Sequence, residues 1–186
     1  MTGISFILSK RKNPLMIISW IIRFIEGTQY SHCAMCIEEN GIEYVYESTM
    51  PKGRKILKSE WDKIYEPVYS YHFMLTDEQR HDALSILQSI VGKPYSYFQL
   101  LLILLELCSS AVKNFIRYLE FNGESRQICT ETIAIMLNRV FMVAIPENYD
   151  HISLKEARYL LDNTMNHWND IGYRANRLQY FLKGVK

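Results

Sequence analysis

The pair Asn40-Gly41 sits between two runs that alternate in period two, Tyr30 to Glu39 and Ile42 to Glu47. A two-residue Asn-Gly link between alternating runs predicts a β-hairpin with a tight turn, because both residues tolerate the positive φ such a turn demands. The turn sets the register. With Glu39 facing Ile42, Ala34 faces Glu47 and His32 faces Thr49. His32, Ala34 and Cys36 then share one face with Val45 and Glu47. A diagonal neighbour across two strands lies about 7–8 Å away, within reach of long side chains. The hairpin therefore predicts an imidazole beside a carboxylate, which is half of a nucleophilic site.

The chain of 186 residues suits one core, and 48% apolar with 22% charged residues is ordinary for a globular protein. A formal net charge of +1 gives no reason to expect a nucleic-acid surface, and the short basic clusters at Lys10-Arg11-Lys12 and Lys52 to Lys58 read as solvated loops. Four cysteines (Cys33, Cys36, Cys108, Cys129) are too few for a disulfide scaffold. Cys33 and Cys36 form a CxxC beside His32, but an odd spacing on a strand sends the two sulfurs to opposite faces, and no second CxxC or CxxH follows. No metal and no cofactor is therefore expected. Reduced thiols in a cytoplasmic compartment fit this usage. Leu15 to Ile25 follows a basic cluster but contains Arg23 and lacks a small-residue cleavage site, so it is not read as a signal peptide. Leu100 to Leu105 falls well short of the ~20 apolar residues a membrane span requires.

In chain order, Gly3 to Ser9 is expected to form a buried strand. A helix over Leu15 to Ile25 places Ile17, Ile18, Ile21, Ile22 and Ile25 at helical spacing and is expected to pack into the core, ending at Gly27. After the hairpin, Met50 to Lys55 reads as a loop, Lys55 to Leu57 as a short edge strand, and Tyr65 to Met74 as a further strand. Thr76-Asp77-Glu78-Gln79 predicts a capping box for a helix carrying Ala83, Leu84, Leu87, Ile90 and Val91 to Gly92. Gly92 to Tyr95 is a turn. Tyr97 to Leu107 and Ala111 to Leu119 read as helical. Cys129 opens a helix with Ile133, Met136, Leu137, Val140 and Phe141 at helical spacing, and Ser153-Leu154-Lys155-Glu156 caps another running to about Leu161. Residues 1–162 are taken as the catalytic domain, with 163–186 as a C-terminal appendage or a continuation of the same domain.

A thiol nucleophile needs a lowered pKa and a base. Cys129 lies where a helix begins, so first-turn N–H groups can stabilise a thiolate and the oxyanion of acyl attack. The other cysteines lie inside predicted elements. Cys129, His32 and Glu47 thus form a Cys-His-acid set of nucleophile, base and orienting group. A buried structural cysteine and a hydrogen-bonded structural histidine are the plainer reading of the same residues.

With these residues in view, the chain resembles the circularly permuted papain-like (NlpC-type) cysteine hydrolases of the YiiX/YaeF-like group. Thr28-Gln29-Tyr30-Ser31-His32 is similar to that group's histidine motif, and Val45-Tyr46-Glu47-Ser48 to its acidic strand. Gly92-Lys93-Pro94-Tyr95 resembles its turn ahead of the nucleophile, and Ile128-Cys129-Thr130-Glu131 its cysteine motif, with Thr130 where a serine is more usual. The order His, acid, Cys is the permuted one. The resemblance spans roughly residues 3 to 161 and implies an α+β fold, a small antiparallel sheet bearing His32 and Glu47 packed on the Cys129 helix. It implies a nucleophilic Cys129, a His32 base and a Glu47 orienter, with Tyr95 and Tyr30 binding substrate. The expected reaction is hydrolysis of an amide or peptide bond, in a peptide or peptidoglycan-type substrate, through a thioester on Cys129. The alternatives are a lipid acyl-ester hydrolase or acyltransferase of the lecithin retinol acyltransferase type, which would bring Leu100 to Leu105 against a membrane, and an inactive binding module.

Overall fold

The computed structural model describes residues 3–13, 17–96, 129–145 and 152–167. The fold is α+β. Five strands form one antiparallel sheet: β1 (Gly3–Arg11), β2 (His32–Glu39), β3 (Ile42–Glu47), β4 (Arg54–Leu57) and β5 (Tyr65–Met74), in the order β4-β3-β2-β1-β5. The helices are α1 (Ile17–Glu26), α2 (Lys58–Ile64), α3 (Asp77–Ile90), α4 (Cys129–Phe141) and α5 over residues 154–167. The expected helical stretches from Tyr97 to Leu119, the Leu100 to Leu105 run, Cys108 and residues 168–186 lie outside the described residues.

The hairpin forms in the register its turn dictates. Asn40 and Gly41 take φ of 53° and 80°, and Glu39 pairs with Ile42, Cys36 with Val45 and Met35 with Tyr46. The faces separate as the alternation requires: Cys33, Met35 and Ile37 enter the main core, whereas Ala34, Cys36 and Val45 pack with Ile7, Trp61 and Tyr65 on the other side. Cys33 and Cys36 thus point to opposite faces. β1 is longer than its apolar run suggested and sits between β2 and β5, with Phe6 on one face and Ile7 on the other, which is why its sequence alternates poorly.

Helix ends follow local chemistry. In α3 the Gln79 N–H donates to Thr76 Oγ1 at 3.2 Å and the Thr76 N–H to Gln79 Oε1 at 3.1 Å, a complete capping box. The same exchange at α5 joins Glu156 N to Ser153 Oγ at 3.2 Å and Ser153 N to Glu156 Oε2 at 2.8 Å. α1 ends at Gly27, whose φ of +59° lets Gly27 N reach Phe24 O at 3.3 Å and Thr28 N reach Arg23 O at 3.0 Å. α3 stops at Ile90, leaving Val91 as an exposed cap residue rather than part of its apolar stripe.

Two expectations are corrected. Lys58 to Ile64, to which no element was assigned, is α2, and its Trp61 is fully buried. α1 was expected to bury its isoleucines. Ile22 is buried, but Ile17, Trp20 and Phe24 are 69%, 56% and 73% exposed. Apolar residues take up most of the circumference of α1, apart from a stripe of Ser19, Arg23 and Glu26, which is more apolar surface than the core contact through Ile22 covers.

α4 packs on the main-core face, where Ile133, Met136, Leu137, Val140 and Phe141 meet β1, β2 and α3. The capped α5 reaches the same core through Leu154 and Leu161.

Candidate active site

His32 is the first residue of β2 and lies opposite Ser9, so its side chain shares the Ile7 face of the sheet. Glu47 is the last residue of β3. His32 Nε2 and Glu47 Oε2 are 2.6 Å apart, with the residues 8% and 1% exposed. This is the diagonal contact that the hairpin register permits, since the register carried one step past Met35–Tyr46 places Ala34 across from Glu47.

The buried carboxylate has two further partners. Arg54, directly opposite in β4, binds Oε1 through Nε at 2.7 Å and Nη2 at 2.6 Å. Trp61 of α2 donates its indole N–H to Oε2 at 3.0 Å. Burial alone would raise the Glu47 pKa, but the His32, Arg54 and Trp61 donors outweigh it and hold the group down at about 2.

Tyr65 completes this wall. Its ring stacks on His32 at 5.0 Å between centroids and on Trp61 at 4.9 Å. A bulge in β5 places it there. Leu8 pairs with Tyr69 but Ser9 pairs with Pro67, so the side-chain parity of β5 reverses and Tyr65, opposite Arg11, joins the His32 face.

Cys129 is the first described residue of α4, 8% exposed, near the start of β2 beside both Cys33 and His32. A hydrogen bond from Cys33, followed by the bond to and charge of His32, brings the Cys129 pKa well below its ordinary value against the opposing effect of burial. Burial pushes His32 down, but Tyr65, Cys129 and Glu47 together carry it well above its ordinary value. The two shifts favour a thiolate beside an imidazolium.

Tyr95 is brought in by backbone docking. Tyr95 N donates to Pro51 O at 2.9 Å, Gly53 N to Lys93 O at 2.9 Å and Gly92 N to Gly53 O at 2.8 Å, so the turn after α3 lies against the loop after β3. Gly53 is required there, because a Cβ would fall 2.1 Å from Ile90 O. Tyr95 lies near Cys129, and burial first and then that neighbour raise its pKa. With Arg11, Ser19, Ile22, Ser31, His32, Thr49, Met50 and Tyr65 it lines a cleft of about 280 Å³. Tyr30 is not brought to this cleft. It is buried against Tyr69 and points its hydroxyl at Leu154 O, 3.5 Å away.

Cys129, His32, Glu47 and Tyr95 are therefore gathered in one place, and Arg54, Trp61 and Tyr65 belong with them although sequence reasoning missed all three. Arg54 was detectable, since it becomes Glu47's cross-strand partner once the edge strand is extended by one residue. The burial of Trp61 within the polar run Lys58 to Lys63 has no such local signal.

Architecture and site together define a small α+β protein in which an antiparallel sheet carries a buried His-Glu pair near a cysteine on a packed helix. That fold is similar to the one in the crystal structure of the metalloprotein YiiX from Escherichia coli O157:H7, DUF1105, with a TM-score of 0.51 and 18% identity over 79% of this chain and 69% of that one. At such identity the likeness is one of fold. No family model and no curated protein matches the chain. Among the described residues, no group of three or more His, Cys, Asp or Glu side chains is placed to hold a metal ion. His32 Nε2 and both Glu47 oxygens are already engaged. The described residues thus do not fit a metal centre. Among them, no helix is long and apolar enough to cross a membrane.

Proposed function

We propose that the chain is a papain-like thiol hydrolase of the circularly permuted type, acting on an amide or peptide bond, with Cys129 as nucleophile, His32 as base and Glu47 as the group that orients the imidazole. One observation carries this reading: the His32–Glu47 pair at 2.6 Å lies beside Cys129, whose pKa is lowered in part by the bond to and charge of His32. With Nε2 turned to Glu47, Nδ1 is the ring nitrogen left to take the Cys129 proton. The thiolate attacks the carbonyl carbon, and backbone N–H groups beside Cys129 are assigned to the oxyanion. His32 returns its proton to the leaving amine as the C–N bond breaks, leaving a thioester on Cys129. It then takes a proton from water, which attacks the thioester and releases the acid and the thiolate.

Tyr95 and the Arg11, Ser31 and Thr49 side chains of the cleft would contact the substrate. Peptidoglycan-type peptides are the first substrates to try. The test is labelling by an acyl-electrophile thiol probe at neutral pH, which should mark Cys129 far faster than Cys33, Cys36 or Cys108 and vanish in Cys129→Ala. Equal labelling of all four cysteines would overturn the reading. A lipid acyl ester is the second reading, and the observation favouring it is the exposed aromatic face of α1 beside the cleft.

A further inference from the structure

α1 has two jobs that its sequence does not separate. One side supplies Ser19 and Ile22 to the cleft, and Ser19 Oγ lies 2.5 Å from Ser31 Oγ, next to His32. The other side carries Ile17, Trp20 and Phe24, spaced three and four residues apart and all more than half exposed. Trp20 and Phe24 stack on each other at 5.4 Å and 13°. An exposed aromatic pair with an isoleucine one turn away is unusual on a surface bathed only in water.

Among the described residues, the outward charges of α1 itself and of residues 11 and 12 before it are basic. The two ionisable residues of α1 are Arg23 and Glu26, and Glu26 is turned inward, where it accepts a hydrogen bond from Lys155 N at 3.2 Å. Arg23 stays partly exposed between Trp20 and Phe24 in sequence, and Lys12, exposed, and Arg11, partly so, precede the helix. Among the described residues, neither Arg11 nor Arg23 forms an ion pair. A short amphipathic helix with Trp and Phe outward, basic residues on it and just before it, and no outward carboxylate of its own is matched to the interface of an anionic bilayer.

We propose that α1 docks this protein on anionic membrane surfaces, with Ile17, Trp20 and Phe24 in the interfacial layer and Arg23, Arg11 and Lys12 among the headgroups. Because Ser19 and Ile22 of the same helix line the cleft, docking sets the cleft mouth at headgroup depth. The proposal goes beyond the thiol-hydrolase reading and stands whether the substrate is a peptide or a lipid.

The test is co-sedimentation of the full chain with vesicles of phosphatidylcholine alone and of phosphatidylcholine containing phosphatidylglycerol. Binding to the anionic vesicles is expected, weakened by salt, and reduced by at least about tenfold in Ile17→Ser/Trp20→Ser/Phe24→Ser, whose exposed side chains leave the core intact. Arg23→Gln should reduce it by about fivefold with the aromatic face unchanged. Brominated lipids should quench the wild type more than Trp20→Phe. Absence of binding, or binding that survives the triple substitution, would overturn the proposal. So would sedimentation velocity showing a dimer that these substitutions abolish, since a second copy would then be the occupant.

Discussion

Glu47 meets His32 along the diagonal of the hairpin, at 2.6 Å, and holds Arg54 straight across the neighbouring strand pair at 2.6 Å. One buried carboxylate therefore anchors the imidazole from one side and a guanidinium from the other. Glu47→Ala removes the shared partner, leaving His32 and Arg54 without it. Urea denaturation should show a loss of about 3 kcal/mol, the usual cost of breaking a buried pair. The Cys129 alkylation rate at neutral pH should fall by about tenfold or more as the thiolate is lost.

The opposed shifts of Cys129 and His32 set a pH window. The thiolate forms below the ordinary thiol value of 9.0 and the imidazolium persists above the ordinary histidine value of 6.5, so the reactive pair spans neutral pH. Iodoacetamide reactivity of Cys129 should therefore stay high through neutrality. In His32→Ala its rise should move up toward the ordinary thiol value of 9.0. An unchanged profile in His32→Ala would detach the histidine from the cysteine.

Acid stability follows from Glu47. Its folded pKa is depressed from 4.5 to about 2, so its contribution is complete above pH 4.5 and is lost as pH falls through about 2. The span corresponds to about 3 kcal/mol at most. Trp61→Phe removes the indole donor and keeps an aromatic ring against Tyr65. It should cost about 1–2 kcal/mol at neutral pH and raise the pH at which circular dichroism reports acid unfolding.

Glu26 carries the opposite sign. Burial raises its folded pKa from 4.5 to about 7, although Lys155 N donates to it. A raised carboxylate costs stability as pH rises from 4.5 to about 7, because the folded form must then give up a proton it holds better than the unfolded chain does. Glu26→Gln keeps an acceptor for Lys155 N and should flatten the melting temperature across that interval.

Gly53→Ala tests how Tyr95 is positioned. The added methyl meets Ile90 O at 2.1 Å, and the neighbour is backbone that cannot swing aside. A destabilisation of about 2–3 kcal/mol by thermal melting is expected, with slower Cys129 labelling as Tyr95 is displaced.

Local chemistry was legible in the sequence wherever the decisive partners are near in the chain. Asn40-Gly41 determined the register that aims His32 and Glu47 at one another, the two capping boxes determined where α3 and α5 start, and the apolar spacing after Cys129 determined the face of α4. Each is settled by backbone sterics or by a bond spanning a few residues. Tertiary structure decided what surrounds the site. The sheet order puts Arg54 across from Glu47, the β5 bulge turns Tyr65 toward His32, α2 delivers Trp61, and docking of residues 92–95 on the loop at Gly53 delivers Tyr95. It also decided which side of the mostly apolar α1 would be covered, leaving Trp20 and Phe24 outward. Periodicity marks the face a residue takes on its own element; which element that face meets depends on how the sheet is ordered and which helix packs against it, and no local pattern carries that information.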